Sequence, residues 1–383
     1  MKTFGILGPG LILFGRGEAS KAPALIRAHG DRVLVVHGAS GRRADWLIDR
    51  LAERGAEVLS HPCPGEPTLA MLNAALAQAR SFAPEVVVGL GGGSVLDMAK
   101  ALAALIPSKT APMDHLEVVG RGLPLAAAPL PFVALPTTAG TGAEATRNAV
   151  IGLPEHRRKV SLRDDRMLAR LAIVDPDLTD GCPWEVTLAS GLDAVVQVIE
   201  PYVSLHATPY TDALTRPVLA LGLDALQRLQ KGEDQSARDD LAFVSLCGGL
   251  ALSNAGLGAV HGLAGPIGGT SPAPHGAVCG ALIGPVLALN RARAREGGNA
   301  RASARLDEVC DLIAAALGGP AKAAPARVAT WARAAGLPGL TALGLAASDH
   351  AGVARAALQA SSMQGNPVPL AEADLLSILD AAR

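Results

Sequence analysis

Val86-Val-Val-Gly-Leu-Gly-Gly-Gly-Ser-Val-Leu-Asp-Met-Ala-Lys-Ala-Leu102 decides the reading of the fold. A β-branched run, a glycine turn and an apolar-periodic helix follow one another without a gap, which is the pattern of strand, turn and helix. Residues without Cβ let the backbone come close to a pyrophosphate, and the free amides and dipole of a helix N-terminus favour negative charge there. Ser94 is expected to cap that helix. A tight turn alone is the competing reading, but three successive glycines cost backbone entropy that an ordinary turn does not need.

Outward from this segment, Val33 to Val36, Phe132 to Leu135 and Leu171 to Val174 read as further buried strands, and Ala44 to Arg54 and Leu69 to Arg80 as amphipathic helices. Strand and helix in alternation predict an α/β N-terminal nucleotide-binding domain with a mostly parallel sheet covered on both faces. After Pro176 strand-like runs stop, and Ala/Leu-rich windows at Pro217 to Leu229, Leu241 to Ala255 and Leu306 to Leu317 predict an all-α C-terminal domain. The Asp-, Gly- and Pro-bearing stretch Asp177 to Pro183 suits the connection, so the domains are set at residues 1–178 and 179–383. A cleft between two unlike domains is the default place for a site.

The bulk numbers agree with a packed enzyme-sized protein. The 383 residues are 49% hydrophobic and 18% charged, and 34 Lys and Arg against 35 Asp and Glu leave no field to attract nucleic acid or an anionic membrane. Aromatic content of 3% offers few platforms for unpaired bases. Five scattered cysteines, Cys63, Cys182, Cys247, Cys279 and Cys310, include no C-x-x-C pair and read as reduced thiols in a cytoplasmic protein. Leu11 to Phe14 is too short for a signal core, and no membrane span is expected.

An earlier look-alike, Gly15-Arg-Gly17-Glu-Ala-Ser20, imitates a dinucleotide fingerprint but fails at its sixth position, and is read as structural. The acid that would hold a ribose is missing after Val36, where the chain reads His37-Gly-Ala-Ser-Gly-Arg42-Arg43. Arg42 or Arg43 can pair with a 2′-phosphate, so the residues suit NAD or NADP alike. A second polar loop, Pro136-Thr-Thr-Ala-Gly-Thr-Gly-Ala-Glu144, suits phosphate, ribose or nicotinamide contacts, or else a β-turn with a helix cap at Thr141.

In the helical half, Asp193 and Gln197 are four apart and share one face of a helix over roughly Leu188 to Tyr202. His261 and His275 are separated by several Gly and Pro, which puts them on different elements joined by a loop that includes Gly268 to Ala273. A carboxylate, an amide oxygen and two imidazoles can hold a divalent transition metal. Taken singly, a histidine beside an apolar helix is more often a hydrogen-bonded core residue, so the case rests on the combination.

That combination resembles the iron-containing (group III) alcohol dehydrogenase family. Four blocks carry the resemblance: Gly91 to Lys100, Pro136 to Glu144, Ile173-Val-Asp-Pro-Asp-Leu-Thr179, and Asn254-Ala-Gly-Leu-Gly-Ala-Val-His261 continuing to Pro274-His275-Gly276. The resemblance implies an oxidoreductase moving a hydride between NAD or NADP and a small alcohol, aldehyde or keto substrate, with a divalent metal, iron or zinc, and a homo-oligomer such as a dimer. By its pattern the pyrophosphate falls on Gly91, Gly92, Gly93 and Ser94, and the ribose and nicotinamide on Thr137, Thr138 and Thr141, with Lys159 near the cofactor. Asp97 sits by the reacting end as a catalytic position with His261 and His275, and the metal falls on Asp193, Gln197, His261 and His275. Two departures stand out. A histidine usual at the second metal position is Gln197, and another, four residues after the first C-terminal ligand, is Gly265. Relatives such as the maleylacetate reductases work without a required metal; a dehydroquinate-synthase-like lyase and a catalytically lapsed nucleotide-binding protein are the rival readings.

Overall fold

The computed structural model describes residues 3–383. Two compact units emerge, one of Leu7–Thr138 and Gly142–Asp180, the other of Gly181–Arg383 with Ala139–Thr141 and the described residues before Leu7.

The first unit holds eight strands: β1 Ile12–Phe14, β2 Arg32–His37, β3 Glu57–Pro62, β4 Val86–Gly91, β5 Phe132–Pro136, β6 Asn148–Leu153, β7 Arg158–Arg163 and β8 Leu171–Val174. Six of them form one sheet in the order β1-β8-β5-β4-β2-β3, every pair parallel. Strands β4, β5 and β8 are buried at every position, because both faces of the sheet are covered. Val87, Phe132 and Ala134 pack on one side with residues of the Leu69–Phe82 and Gly93–Leu105 helices. Val86, Val88, Val133 and Leu135 pack on the other, with Ile26 and Leu47.

Strand order reverses between β2 and β4, since β3 lies outward of β2 while β5, β8 and β1 lie outward of β4. In an open parallel sheet the crevice beyond the carboxyl ends at such a reversal is where ligands bind. The glycine loop begins at the end of β4, beside that point.

Several sequence expectations need correction. Ser94 does not cap the Gly93–Leu105 helix. The N-cap is Gly92, in an extended conformation, and its carbonyl accepts from the Val95 and Leu96 amides, so Ser94 is already inside the first turn. The helix cap suggested at Thr141 is instead Gly142, whose φ of 56° leads into a short 3-10 turn. The antiparallel hairpin of β6 and β7 was not expected, nor were β1 and β3; β3 has no buried position and β6 mixes exposed with buried ones, so both lack a continuous apolar run. The look-alike fingerprint does hold structure. The Arg16 guanidinium pairs with Asp177 and Asp180, and the Ala19 amide donates to Asp175, tying the end of β1 to the residues after β8.

The second unit contains no strand among the described residues. Its site-bearing helices are Trp184–Val203, Ala259–Thr270 and His275–Glu296, with Gln235–Ala255 packed against the first. The segment from Gly268 to Thr270, expected in a loop, is helical, so only residues 271–274 join the two histidine-bearing helices. No single helix among the described residues is long and apolar enough to cross a membrane.

Candidate functional site

In the α/β unit the structure brings Gly91, Gly92, Gly93 and Ser94 beside Thr137 and Thr138. Gly91 pairs in register with Pro136, and the Thr137 amide donates to the Gly91 carbonyl at 3.0 Å. The glycines are needed for close approach and not for unusual torsions. A Cβ on Gly91 would lie 2.6 Å from the Val95 side chain, and one on Gly92 would lie 3.1 Å from Thr138 Oγ1. With the Val95 and Leu96 amides engaged, the Gly93 and Ser94 amides have no acceptor among the described residues, which is the arrangement a helix N-terminus offers an anion.

Asp97, one turn along the same helix, accepts from the Val150 amide of β6 at 3.0 Å, and burial pushes its carboxyl up to about 6, against the opposing pull of Lys100. Lys159, on β7, is ion-paired with Glu66. Lys100 is fully buried, and its ammonium donates to the Ala143 carbonyl, Thr146 Oγ1 and the Asn148 carbonyl at 2.7 to 2.8 Å. Burial brings it down to about 8 and raises the neighbouring Glu144 to about 7. Thr141 belongs to the stretch 139–141, which groups with the helical unit. There the Gly140 amide donates to Ser245 Oγ and its carbonyl accepts from Gln197 Nε2 at 3.1 Å. A Cβ at Gly140 would sit 2.7 Å from that of Ser190, so only glycine allows this contact.

In the helical unit Asp193, His261, His275 and Cys279 bring four donor atoms within 4.8 Å of one another. Asp193 comes from the middle of the Trp184–Val203 helix and is 1% exposed; His261 comes from the first turn of Ala259–Thr270; His275 and Cys279 are one turn apart on the next helix. His261 Nε2 is 3.2 Å from Asp193 Oδ1 and His275 Nε2 is 3.9 Å away, yet neither Asp193 oxygen has a donor in hydrogen-bonding alignment. The Oε1 of Gln197, one turn after Asp193, is likewise buried without a partner. Buried acceptors left without donors cost a folded chain free energy, so such a cluster is built for something else to satisfy it. A divalent cation fits: the unsatisfied atoms are acceptors, and two imidazoles face them.

His261 also shows how its ring is held. Its Nδ1 is 2.6 Å from Glu200 Oε2, and since a carboxylate only accepts, Nδ1 donates and Nε2 is turned toward Asp193. A carboxylate behind an imidazole in this way orients the ring and raises its basicity toward a metal. Glu200 in turn accepts from the Val260 amide at 2.7 Å. Burial works against the Asp193 charge, but His261 and His275 outweigh it and hold the carboxyl below its usual range. Burial likewise opposes charge on His261, yet Cys279, Asp193 and Glu200 hold it well above the usual imidazole range, while the Cys279 thiol is pushed up to about 12 chiefly by burial.

Sequence reasoning missed Glu200 and Cys279. Both carried a signal, since Glu200 is seven residues after Asp193 on one helix face and Cys279 is four after His275. Gly265 lies one turn after His261, and a Cβ there would meet nothing within 4 Å.

The comparisons with known proteins follow the same division of the chain. The model of the family described as "Iron-containing alcohol dehydrogenase" matches residues 9–176, and that described as "Fe-containing alcohol dehydrogenase family, C-terminal" matches residues 187–383. The chain is 37% identical over 311 residues to the probable alcohol dehydrogenase EutG of Salmonella typhimurium, covering 76% of each. Among solved structures it is similar to a 1,3-propanediol oxidoreductase, with a TM-score of 0.87 and 27% identity over the whole of both chains. It is also similar to an iron-containing alcohol dehydrogenase from Thermococcus thioreducens, with a TM-score of 0.86 and 26% identity over 99% of each.

Proposed function

Because the chain belongs to the iron-containing alcohol dehydrogenase family and is an NAD(P)-linked alcohol oxidoreductase, we propose that it passes a hydride reversibly between a small alcohol and the nicotinamide with these residues in charge. Gly91, Gly92, Gly93 and Ser94 hold the pyrophosphate with backbone amides. Thr137, Thr138 and Thr141 contact ribose and nicotinamide, Lys159 lies by the cofactor, and Asp97 serves the reacting end. Asp193, Gln197, His261 and His275 hold a divalent metal. When bound, the metal supplies Lewis-acid polarisation of the substrate oxygen. His261, locked by Glu200, keeps a fixed orientation, while His275, whose side chain is 35% exposed, can exchange a proton with solvent. The nucleotide-binding part is residues 1–178 and the metal- and substrate-binding part residues 179–383. A cytoplasmic location, supported by five free cysteines, and a homo-oligomeric state complete the proposal.

The observation that carries the metal assignment is the buried Asp193 carboxylate with two imidazoles facing it and no donor aligned to either oxygen. A second reading, metal-independent reduction with His275 as proton donor, is favoured by Gln197, whose Nε2 is engaged by the Gly140 carbonyl. Turnover of a panel of small aldehydes with NADH and NADPH, together with elemental analysis of the purified protein, tests both. Oxidation of either cofactor with roughly stoichiometric metal is expected. Turnover unchanged after complete chelation selects the second reading, and no oxidation of either cofactor by any aldehyde overturns both.

A further inference from the structure

We propose that Cys279 is a ligand of the bound metal, so that the site offers Asp193, His261, His275 and Cys279 as four donors and prefers zinc to iron. The proposal rests on the metal assignment above and puts the Cys279 sulfur in the place given there to the Gln197 amide.

The geometry of the donors carries the argument. Zinc–sulfur bonds of about 2.3 Å and zinc–nitrogen bonds of about 2.0–2.1 Å at tetrahedral angles place sulfur and nitrogen about 3.5 Å apart, and nitrogen and oxygen about 3.4 Å apart. Cys279 Sγ lies 3.6 Å from His275 Nε2 and 3.9 Å from His261 Nε2. Asp193 Oδ1 lies 3.2 Å from His261 Nε2 and 3.9 Å from His275 Nε2. These four distances fall within about 0.5 Å of the tetrahedral values, and all four donor atoms lie within 4.8 Å of one another. The position of the thiol follows from helical spacing, since Cys279 is one turn after His275 and faces the same way.

A second observation, independent of the thiol, points to a ligand at the same place. Asp193 is 1% exposed, and neither of its oxygens is satisfied. Gln197, at the remaining metal position, already donates through Nε2 to the Gly140 carbonyl, so its amide is partly committed to holding the 139–141 loop. A thiolate is also the stronger donor of the two, and soft sulfur selects zinc over iron where oxygen ligands would not. On coordination the Sγ–H bond breaks, the proton passes to buffer and the electron pair forms the Sγ–metal bond; no oxidant or reductant is consumed.

Cobalt(II) substitution reads the ligand directly. The full-length protein, stripped with chelator and reloaded with Co(II), is expected to show a near-ultraviolet sulfur-to-cobalt charge-transfer band. Cys279→Ser should lose that band, and Gln197→Ala should keep it. X-ray absorption at the zinc edge of the Zn(II)-loaded wild type, which needs no variant, should show one sulfur at about 2.3 Å. Zinc affinity should fall in Cys279→Ser by at least the roughly 10- to 100-fold that loss of an outer-shell partner causes. Co(II) and Zn(II) bound with nitrogen and oxygen scatterers only, and no band, overturns this proposal while leaving the metal site standing. Failure of the wild type to retain either ion overturns both.

Discussion

Two buried charges, one in each unit, are held in opposite ways. In the α/β unit, Lys100 is fully buried and its ammonium finds three acceptors, two of them backbone carbonyls of the segment after β5. In the helical unit, Asp193 is equally hidden, and neither carboxylate oxygen has an aligned donor. A buried charge whose hydrogen-bonding capacity is filled by the chain is structural, and its removal strands the partners. One left unfilled beside two imidazoles and a thiol has the donor chemistry that fits a cation. The same burial, a few percent of the surface or less, therefore marks two different roles, and the partners decide which.

The largest expected effect comes from breaking the unfilled charge. Asp193→Ala should retain no metal by elemental analysis, and its kcat on aldehydes should fall by about three orders of magnitude as several kcal/mol of charge stabilisation are withdrawn. Chelator should lower the Tm of the wild type and leave this variant where it was; at a hundredfold excess of metal over Kd the difference amounts to about 2.7 kcal/mol. Wild-type metal content and turnover in Asp193→Ala would erase the contrast. Next comes the filled charge. Lys100→Met strands the Ala143 and Asn148 carbonyls, so urea unfolding should report a loss of about 3 kcal/mol, with metal content per folded chain unchanged.

Glu144 sharpens the comparison through pH. Its carboxyl is raised by burial from 4.5 to about 7, so the folded chain binds a proton there that the unfolded chain has given up. The stability it contributes is fully present below about pH 4.5 and is lost as pH rises through about 7. Wild type should therefore lose stability relative to Glu144→Gln across that window, by on the order of 2 kcal/mol, measured as urea midpoints at pH 5 and pH 8. A constant difference at both pH values would mean that Glu144 titrates as an exposed carboxyl does. The smallest effect belongs to Gly265, where space is free and φ is ordinary: Gly265→Ala should raise stability by about 0.5–1 kcal/mol through helix propensity alone.

How much of this was legible in the sequence follows from burial. Strands β2, β4, β5 and β8 are apolar along nearly their whole length, because both sides of the sheet are covered, and a continuous apolar run is easy to see. By contrast, β3 lies at the sheet edge with no buried position, β1 has three residues, and β6 alternates toward solvent, so none of them offers such a run. The glycine loop was legible as a turn between strand and helix, but Gly92 took the cap that Ser94 was expected to supply, because its carbonyl already accepts the first two helical amides. Asp193 and Gln197 announced themselves by helical spacing. Glu200 and Cys279 had the same kind of spacing and were passed over, since a glutamate on an apolar helix and a cysteine without a second cysteine nearby look like packing until the fold sets them beside His261.

The Arg16 clamp and the pairing of β1 with β8 matter for how the chain is made. Ile12 finds its sheet partner at Ala172, about 160 residues later, and the Arg16 guanidinium finds its carboxylates at Asp177 and Asp180. A ribosome adding roughly 5–20 residues per second needs on the order of ten seconds to deliver that partner. During that interval the first strand emerges with no neighbour to receive it, and its exposed Phe14, with Leu11 just before the strand, is available to any other unpaired edge. The nascent sheet can assemble from β2 to β5 in sequence, but its last edge closes only when the end of the α/β unit leaves the exit tunnel. Synthesis rate and chaperone supply should therefore govern the yield of this unit more strongly than that of the helical one.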